Sequence, residues 1–171
     1  MRAQSVTLRH PDKTDGAAVW ELVRSAGTLD VNSPYSYILL CDLFRQTCIV
    51  AEENGKLVGF VSALIAPMRS DTLFVWQIAV DSSVRGKGLG KAMLKQLLES
   101  NAVVPIRYLE ATVSPSNIAS RSLFQSMARL LNCELKTVED EGYMPSMFPA
   151  GNAHEAEPLL RIGPFQRMIV V

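Results

Sequence analysis

Residues Arg85 to Gly90 read Arg-Gly-Lys-Gly-Leu-Gly and stand between a strand-like run, Thr72 to Val80, and an apolar helical run that begins at Leu89. Few local patterns restrict a fold so tightly, because a strand must here deliver three glycines into the first turn of a helix. Glycine lets main-chain N–H groups approach a ligand closely. The unpaired donors and partial positive charge of a helix N-terminus then favour phosphate or pyrophosphate. The pattern predicts a site for a phosphorylated cofactor, and its spacing excludes two common loops. A nucleotide P-loop needs Gly, four residues, then Gly-Lys-Ser/Thr; counting back from Gly90-Lys91 puts Arg85 at the first glycine and Ala92 at the magnesium-binding hydroxyl. A dinucleotide fingerprint, Gly-x-Gly-x-x-Gly, would end on Lys91 if started at Gly86 and on Met93 if started at Gly88.

Composition narrows the partner. At 171 residues the chain predicts a single domain over 1–171, a size that buries about two-thirds or more of the unfolded surface. Lys plus Arg and Asp plus Glu are 17 each, without blocks of like charge, so broad attraction to nucleic acid or an anionic membrane is not expected. A small-molecule partner fits better. No apolar run approaches the ~20 residues of a membrane span, and Met1-Arg2-Ala3-Gln4-Ser5 leads directly into strand-like sequence, which predicts a cytoplasmic protein. Cys41, Cys48 and Cys133 form no C-x-x-C pair and are odd in number, arguing against a disulfide framework or a structural metal and for small core residues. A catalytic thiol is disfavoured because His10 and His154, the two histidines, are remote in sequence from all three.

Along the chain, Ser5 to Arg9 predicts a first strand, followed by a helix with the stripe Val19, Leu22, Val23 and Ala26, ending at Gly27. Ser33 and Pro34 read as N-cap and first residue of a second helix, in which Tyr37, Leu40, Cys41 and Phe44 recur at i, i+3, i+4 and i+7. Thr47 to Glu52 and Leu57 to Ile65 are strand-like and joined through Asn54-Gly55, a pair suited to a tight hairpin. A turn at Pro67 to Asp71 precedes the strand Thr72 to Val80. Past the glycine loop come a helical stripe of Leu89, Met93, Leu94, Leu97 and Leu98, a strand over Ile106 to Val113 and a helix over Asn117 to Ala128. The long crossover from Val80 to Ile106 predicts a parallel pairing of the two strands it joins. Leu130 to Glu139 is strand-like, Asp140 to Glu157 reads as irregular, and Pro158 to Phe165 reads as a last strand, giving the order βααβββαβαββ.

Arg85, Gly88 and Gly90 fit the pattern Arg-x-x-Gly-x-Gly, and this loop, set within that order of elements, resembles the acyl-CoA loop of the GNAT superfamily of N-acetyltransferases. The resemblance covers nearly the whole chain. It implies an α/β (α+β) GNAT acyl-CoA N-acyltransferase fold, a central mixed, mostly antiparallel sheet flanked by helices. It implies acetyl-CoA as co-substrate, held at Ile78, Ala79 and Val80 of the fourth strand and at Arg85, Gly86, Lys87, Gly88, Leu89, Gly90 and Lys91. By their position alone Lys87 and Lys91 read first as solvated lysines at a helix end, and second as side-chain charge for the pyrophosphate. Asn117, Ser120 and Leu123 match a second GNAT motif, in which Asn117 contacts the CoA arm or caps its helix. The family commonly carries Tyr where this chain has Phe124, which removes one route for protonating the leaving thiolate.

The acceptor must be a deprotonated amine, because an ordinary primary amine, with a pKa near ~10, is almost wholly protonated at neutral pH. Acidic side chains suit both the cation and its proton. Two segments supply them: Leu29 to Tyr37, with Asp30, and His154-Glu155-Ala156-Glu157. The irregular stretch leading to the second carries Tyr143, Met144, Met147 and Phe148, too apolar for a solvated linker, and predicts a cover over a ligand or a neighbouring subunit.

The segments Thr28 to Tyr37, Val75 to Asp81 and the loop ending His154-Glu155 resemble the diaminobutyrate acetyltransferases, a branch of the GNAT superfamily. That resemblance implies transfer of acetyl to the 4-amino group of L-2,4-diaminobutyrate on the way to ectoine, with no metal. It implies Asp30, Trp76 and Glu155 as substrate residues, with Glu155 or Asp30, or water, as proton acceptor. Tyr35 is free to reach substrate, whereas Tyr37 lies on the apolar stripe of its helix. On alternation alone Trp76 shares a face with Phe74, Ile78 and Val80 and reads as core. Asp30 reads equally as a turn residue, and Glu155 as a solvated charge. Another small-amine GNAT enzyme, or an acyl-CoA-binding module without catalysis, stays open. A homodimer is expected from the Met-rich loop and the apolar tail Met168 to Val171.

Overall fold

The computed structural model describes residues 6–27, 29–100, 105–151 and 153–166. Ser5 with the residues before it, Thr28 and the tail Met168 to Val171 lie outside the described residues. The elements follow the expected order: β1 (Thr7–Arg9), α1 (Gly16–Ala26), α2 (Pro34–Asp42), β2 (Cys48–Glu53), β3 (Lys56–Ala66), β4 (Arg69–Val80), α3 (Leu89–Ser100), β5 (Tyr108–Thr112), α4 (Ile118–Leu130), β6 (Leu135–Tyr143) and β7 (Glu157–Ile162). The seven strands are ordered β1-β2-β3-β4-β5-β7-β6. β4 pairs β5 in parallel, as the crossover predicts, while β1/β2, β2/β3, β5/β7 and β6/β7 are antiparallel.

By their contacts the elements group into two compact units. The first holds β1, α1, α2, β2, most of β3, the C-terminal half of β4 and α3. Its core joins the α1 stripe Val19, Leu22 and Val23 to Tyr37 and Leu40 of α2 and Phe60 of β3, all at most 4% exposed. Each such side chain contributes about 1.5–3 kcal/mol by burial. The helices begin and end on local chemistry. Ser33 Oγ accepts from Ser36 N–H with Pro34 in the first turn, and Gly27 closes α1 in the left-handed conformation. The β2–β3 hairpin turns on Asn54 and Gly55, both with positive φ (53° and 76°). Phe44 departs from expectation: α2 stops at Asp42, so Phe44 falls outside the helical period and is 45% exposed.

The second unit holds the start of β4, β5, α4, β6 and β7. Buried Glu110 of β5 accepts both Arg69 Nη1 and Nη2 (3.0 and 2.8 Å) and Arg161 Nε of β7 (2.6 Å). The polar run Arg69-Ser70-Asp71, expected in a turn, is strand, and Arg69 is tied to Glu110. The irregular stretch is also shorter than expected, since β6 continues through Glu139–Gly142 to Tyr143. β6 lies last in the sheet order, where polar residues are tolerated. Its register against β7 shifts between Val138↔Leu159 and Tyr143↔Glu157. Gly142 sits in that bulge, where an added Cβ would lie 2.2 Å from the Glu157 carbonyl oxygen.

Candidate active site

The loop after β4 has the geometry of an anion cradle. Asp81 ends the strand with its N–H donating to Val58 O (2.9 Å), and its carboxylate accepts Lys56 Nζ (2.9 Å) and Ser83 N–H (3.0 Å). Those partners hold the Asp81 carboxyl far below the usual aspartate range. Gly86 and Gly88 follow with φ of 74° and 79°, a conformation glycine adopts freely, and a Cβ built on either meets nothing within 4 Å. Ala92 N–H donates to Gly88 O (3.0 Å), the first helical bond of α3, so the N–H groups of Leu89, Gly90 and Lys91 find no carbonyl within the helix. Open space over outward donors at the N-terminus of a twelve-residue helix fits a pyrophosphate. Lys87 is exposed and Lys91 half-buried.

Arg85 does something the motif does not disclose. Its Nε donates to Val80 O (3.0 Å) and its Nη2 to Ala26 O (2.7 Å), so the guanidinium ties the loop to the ends of β4 and α1. In the same unit, the segment after α1 is fastened to β4. Gln77 Nε2 donates to Asp30 O (3.0 Å), and Tyr37 Oη donates to Gln77 Oε1 (3.1 Å). Asp30 itself is exposed, as is Tyr35 at 66%. Tyr37 is fully buried, as its helical stripe predicted.

Trp76 corrects the reading by alternation. The buried face of β4 is Leu73, Val75, Gln77 and Ala79, whereas Trp76 is 44% exposed on the other face with Phe74, Ile78 and Val80 half-buried beside it. It is not core. Gln77 is the residue sequence reasoning passed over, although a lone amide in the alternation Leu73, Val75, Gln77, Ala79 was a visible signal.

In the second unit, Asn117 is the N-cap of α4, its Oδ1 accepting from Ser120 N–H (3.1 Å). The residue before it holds Glu155: Ser116 Oγ donates to Glu155 Oε2 at 2.7 Å, and Ser116 N–H at 3.4 Å. These bonds lower the Glu155 pKa from its ordinary 4.5. His154 stacks on Phe148 with centroids 3.7 Å apart and an interplanar angle of 5°, so part of the loop packs on itself. Phe124 is 1% exposed and brings no proton donor. Burial pushes the thiols of Cys41 and Cys48 up to about 12, which makes both poor nucleophiles. Among the described residues, no group of three or more His, Cys, Asp or Glu is placed to hold a metal, and no helix is long and apolar enough to cross a membrane.

A family model described as Acetyltransferase (GNAT) family matches residues 17–128, which take in α1 from its second residue, β4, the glycine loop and α3. The chain belongs to the GNAT acetyltransferase family. This GNAT chain is 50% identical over 160 residues to L-2,4-diaminobutyric acid acetyltransferase of Halalkalibacterium halodurans, a match covering 94% of this chain and 82% of the relative. It is 49% identical over 157 residues to the enzyme of that name from Virgibacillus pantothenticus, covering 92% and 97%. Among solved structures, diaminobutyrate acetyltransferase EctA from Paenibacillus lautus, in complex with its substrate L-2,4-diaminobutyric acid and coenzyme A, superposes with a TM-score of 0.91 at 48% identity. That match covers 98% of this chain and 100% of the other. The ribosomal-protein-S18-alanine N-acetyltransferase of Escherichia coli matches with a TM-score of 0.66 at 18% identity, covering 98% and 99%, a likeness of GNAT fold alone.

Proposed function

We propose that this protein moves acetyl from acetyl-CoA to the 4-amino group of L-2,4-diaminobutyrate, giving N4-acetyl-L-2,4-diaminobutyrate for ectoine biosynthesis. One observation carries the reading: the 48% identical, full-length match to a structure holding that amino acid and coenzyme A. The chain's own residues fit the co-substrate, because the Gly86 and Gly88 conformations leave an open, donor-lined space at the start of α3.

In this reading acetyl-CoA supplies the acetyl thioester and its pyrophosphate lies at Arg85 to Lys91. The main chain at Ile78, Ala79 and Val80 faces the pantetheine arm and thioester, and Asn117 caps α4. The 4-amino nitrogen, once deprotonated, forms the new amide bond as the carbon–sulfur bond breaks. The electron pair leaves with the CoA sulfur, and solvent protonates it, since Phe124 offers no proton. Trp76 and Tyr35 supply exposed aromatic surface to the substrate. Glu155, held by Ser116, supplies a carboxylate for a substrate ammonium. Glu155 or Asp30, directly or through water, accepts the amine proton. Three unpaired cysteines, two of them buried, accord with the cytoplasm. Exposed Tyr143, Met144 and Met147 favour a homodimer, and one domain over 1–171 is the organisation we infer.

The reaction is tested by following thiol release from acetyl-CoA with diaminobutyrate, ornithine, lysine, spermidine and a peptide amine, with the product's acetyl position read by NMR. Preference for diaminobutyrate with acetyl at N4 is expected. Release with another amine in preference would overturn the substrate, and no release with any amine would overturn the enzyme.

A further inference from the structure

The buried face of β4 carries a single amide among apolar neighbours. Gln77, 6% exposed, has lost its water and must find its partners in the protein. Donor and acceptor roles leave little freedom. The Asp30 carbonyl can only accept, so Nε2 faces it at 3.0 Å and Oε1 is left to accept the Tyr37 hydroxyl proton at 3.1 Å. Tyr37 Oη, having donated, accepts Asn32 N–H at 3.3 Å. The bonds close a ring through β4, Asp30, Asn32 and α2. Residues 29–33 have no regular structure of their own, so this ring fixes main chain that would otherwise sample many conformations.

We propose that Gln77 is a positioning residue for the acceptor amine: with Tyr37 it sets the main chain at Asp30 to Asn32 and so fixes the Asp30 carboxylate for the substrate's ammonium. This rests on the reading of Asp30 as a substrate residue. A fixed carboxylate binds without the ordering cost a loose segment carries. Loosening it weakens capture of the diamine and leaves binding of acetyl-CoA untouched.

Gln77→Met keeps the volume and removes both bonds, and Tyr37→Phe keeps the ring and removes one hydroxyl. Each is expected to raise KM for diaminobutyrate about ten-fold, with kcat within about two-fold and KM for acetyl-CoA unchanged, because the full-size core side chains remain. Amide hydrogen exchange across residues 29–33 quickens in both. Asp30→Asn raises the diamine KM, and adding Gln77→Met to it raises KM no further, because both act on one carboxylate. Additive effects, or a wild-type KM in Gln77→Met or, should that variant not fold, in Tyr37→Phe, would overturn the positioning role while Asp30→Asn keeps the substrate reading intact. A wild-type KM in Asp30→Asn would overturn that reading and the positioning role with it.

Discussion

Arg85 and Ala26, one opening the glycine loop and the other ending α1, are joined by a 2.7 Å hydrogen bond from guanidinium to carbonyl. A second bond from the same group to Val80 O makes Arg85 a brace between three segments. Lysine has one donor head on a flexible stem and cannot span both carbonyls. Arg85→Lys is expected to lower stability by about 1–2 kcal/mol in urea unfolding and to raise KM for acetyl-CoA more than KM for the amine. Stability equal to wild type would show that the brace is dispensable.

Gly88 has φ of 79° with open space where a side chain would project. Gly88→Ala therefore meets no clash, only the backbone penalty of about 1–2 kcal/mol for an L-residue in that region. Calorimetry should show that loss, and relaxation of the loop away from the strained angle should weaken CoA binding in titration calorimetry. Retained CoA affinity would count against the cradle.

Acid should weaken the fold through two aspartates. The Arg9 guanidinium lowers the Asp15 pKa, and Lys56 with Ser83 lowers that of Asp81, both from an ordinary 3.8. A carboxylate with a depressed folded-state pKa stabilises above its unfolded value and loses that contribution as pH falls through the folded one. Unfolding free energy should therefore drop below about pH 4. Asp81→Asn should flatten that slope, and an unchanged slope in both Asp81→Asn and Asp15→Asn would refute the assignment.

Ser116 donates to Glu155 and depresses its pKa. Ser116→Ala removes the hydroxyl bond, so the Glu155 pKa should rise toward 4.5 and the acid limb of kcat/KM should move to higher pH. Should Glu155 carry no part in catalysis, the limb will stay where it is in Ser116→Ala and in Glu155→Gln alike.

Glu110, 1% exposed, is shared by Arg69 and Arg161. Truncating it leaves the Arg69 guanidinium without its carboxylate and Arg161 with Glu141 alone, so Glu110→Ala should cost about 3 kcal/mol, measured by denaturant unfolding. Loss of under half that would mean water replaces the carboxylate.

The order of elements was legible because helix stripes such as Val19, Leu22, Val23 and Ala26, and turn residues such as Asn54-Gly55, are local signals. The cradle was legible for the same reason. Trp76 misled alternation because its face of β4 is only partly covered, and the pattern of a strand cannot say which face has a neighbour. Asp140 to Tyr143 read as irregular although they are strand, because the polarity an edge strand tolerates resembles that of a loop. Arg85 and Gln77 act through partners 59 and 47 positions away, and no local pattern reports such distances.

The donors at the start of α3 belong to the main chain, so most substitutions in the loop leave them in place, and Gly86 and Gly88 concentrate its vulnerability. With the amine at Asp30, Tyr35 and Trp76 as proposed, mutational drift can rework those side chains, which lie on separate segments, without disturbing the main-chain donors of the loop. A lineage built on this chain has more room to change the amine it accepts than the donor from which it draws its acyl group.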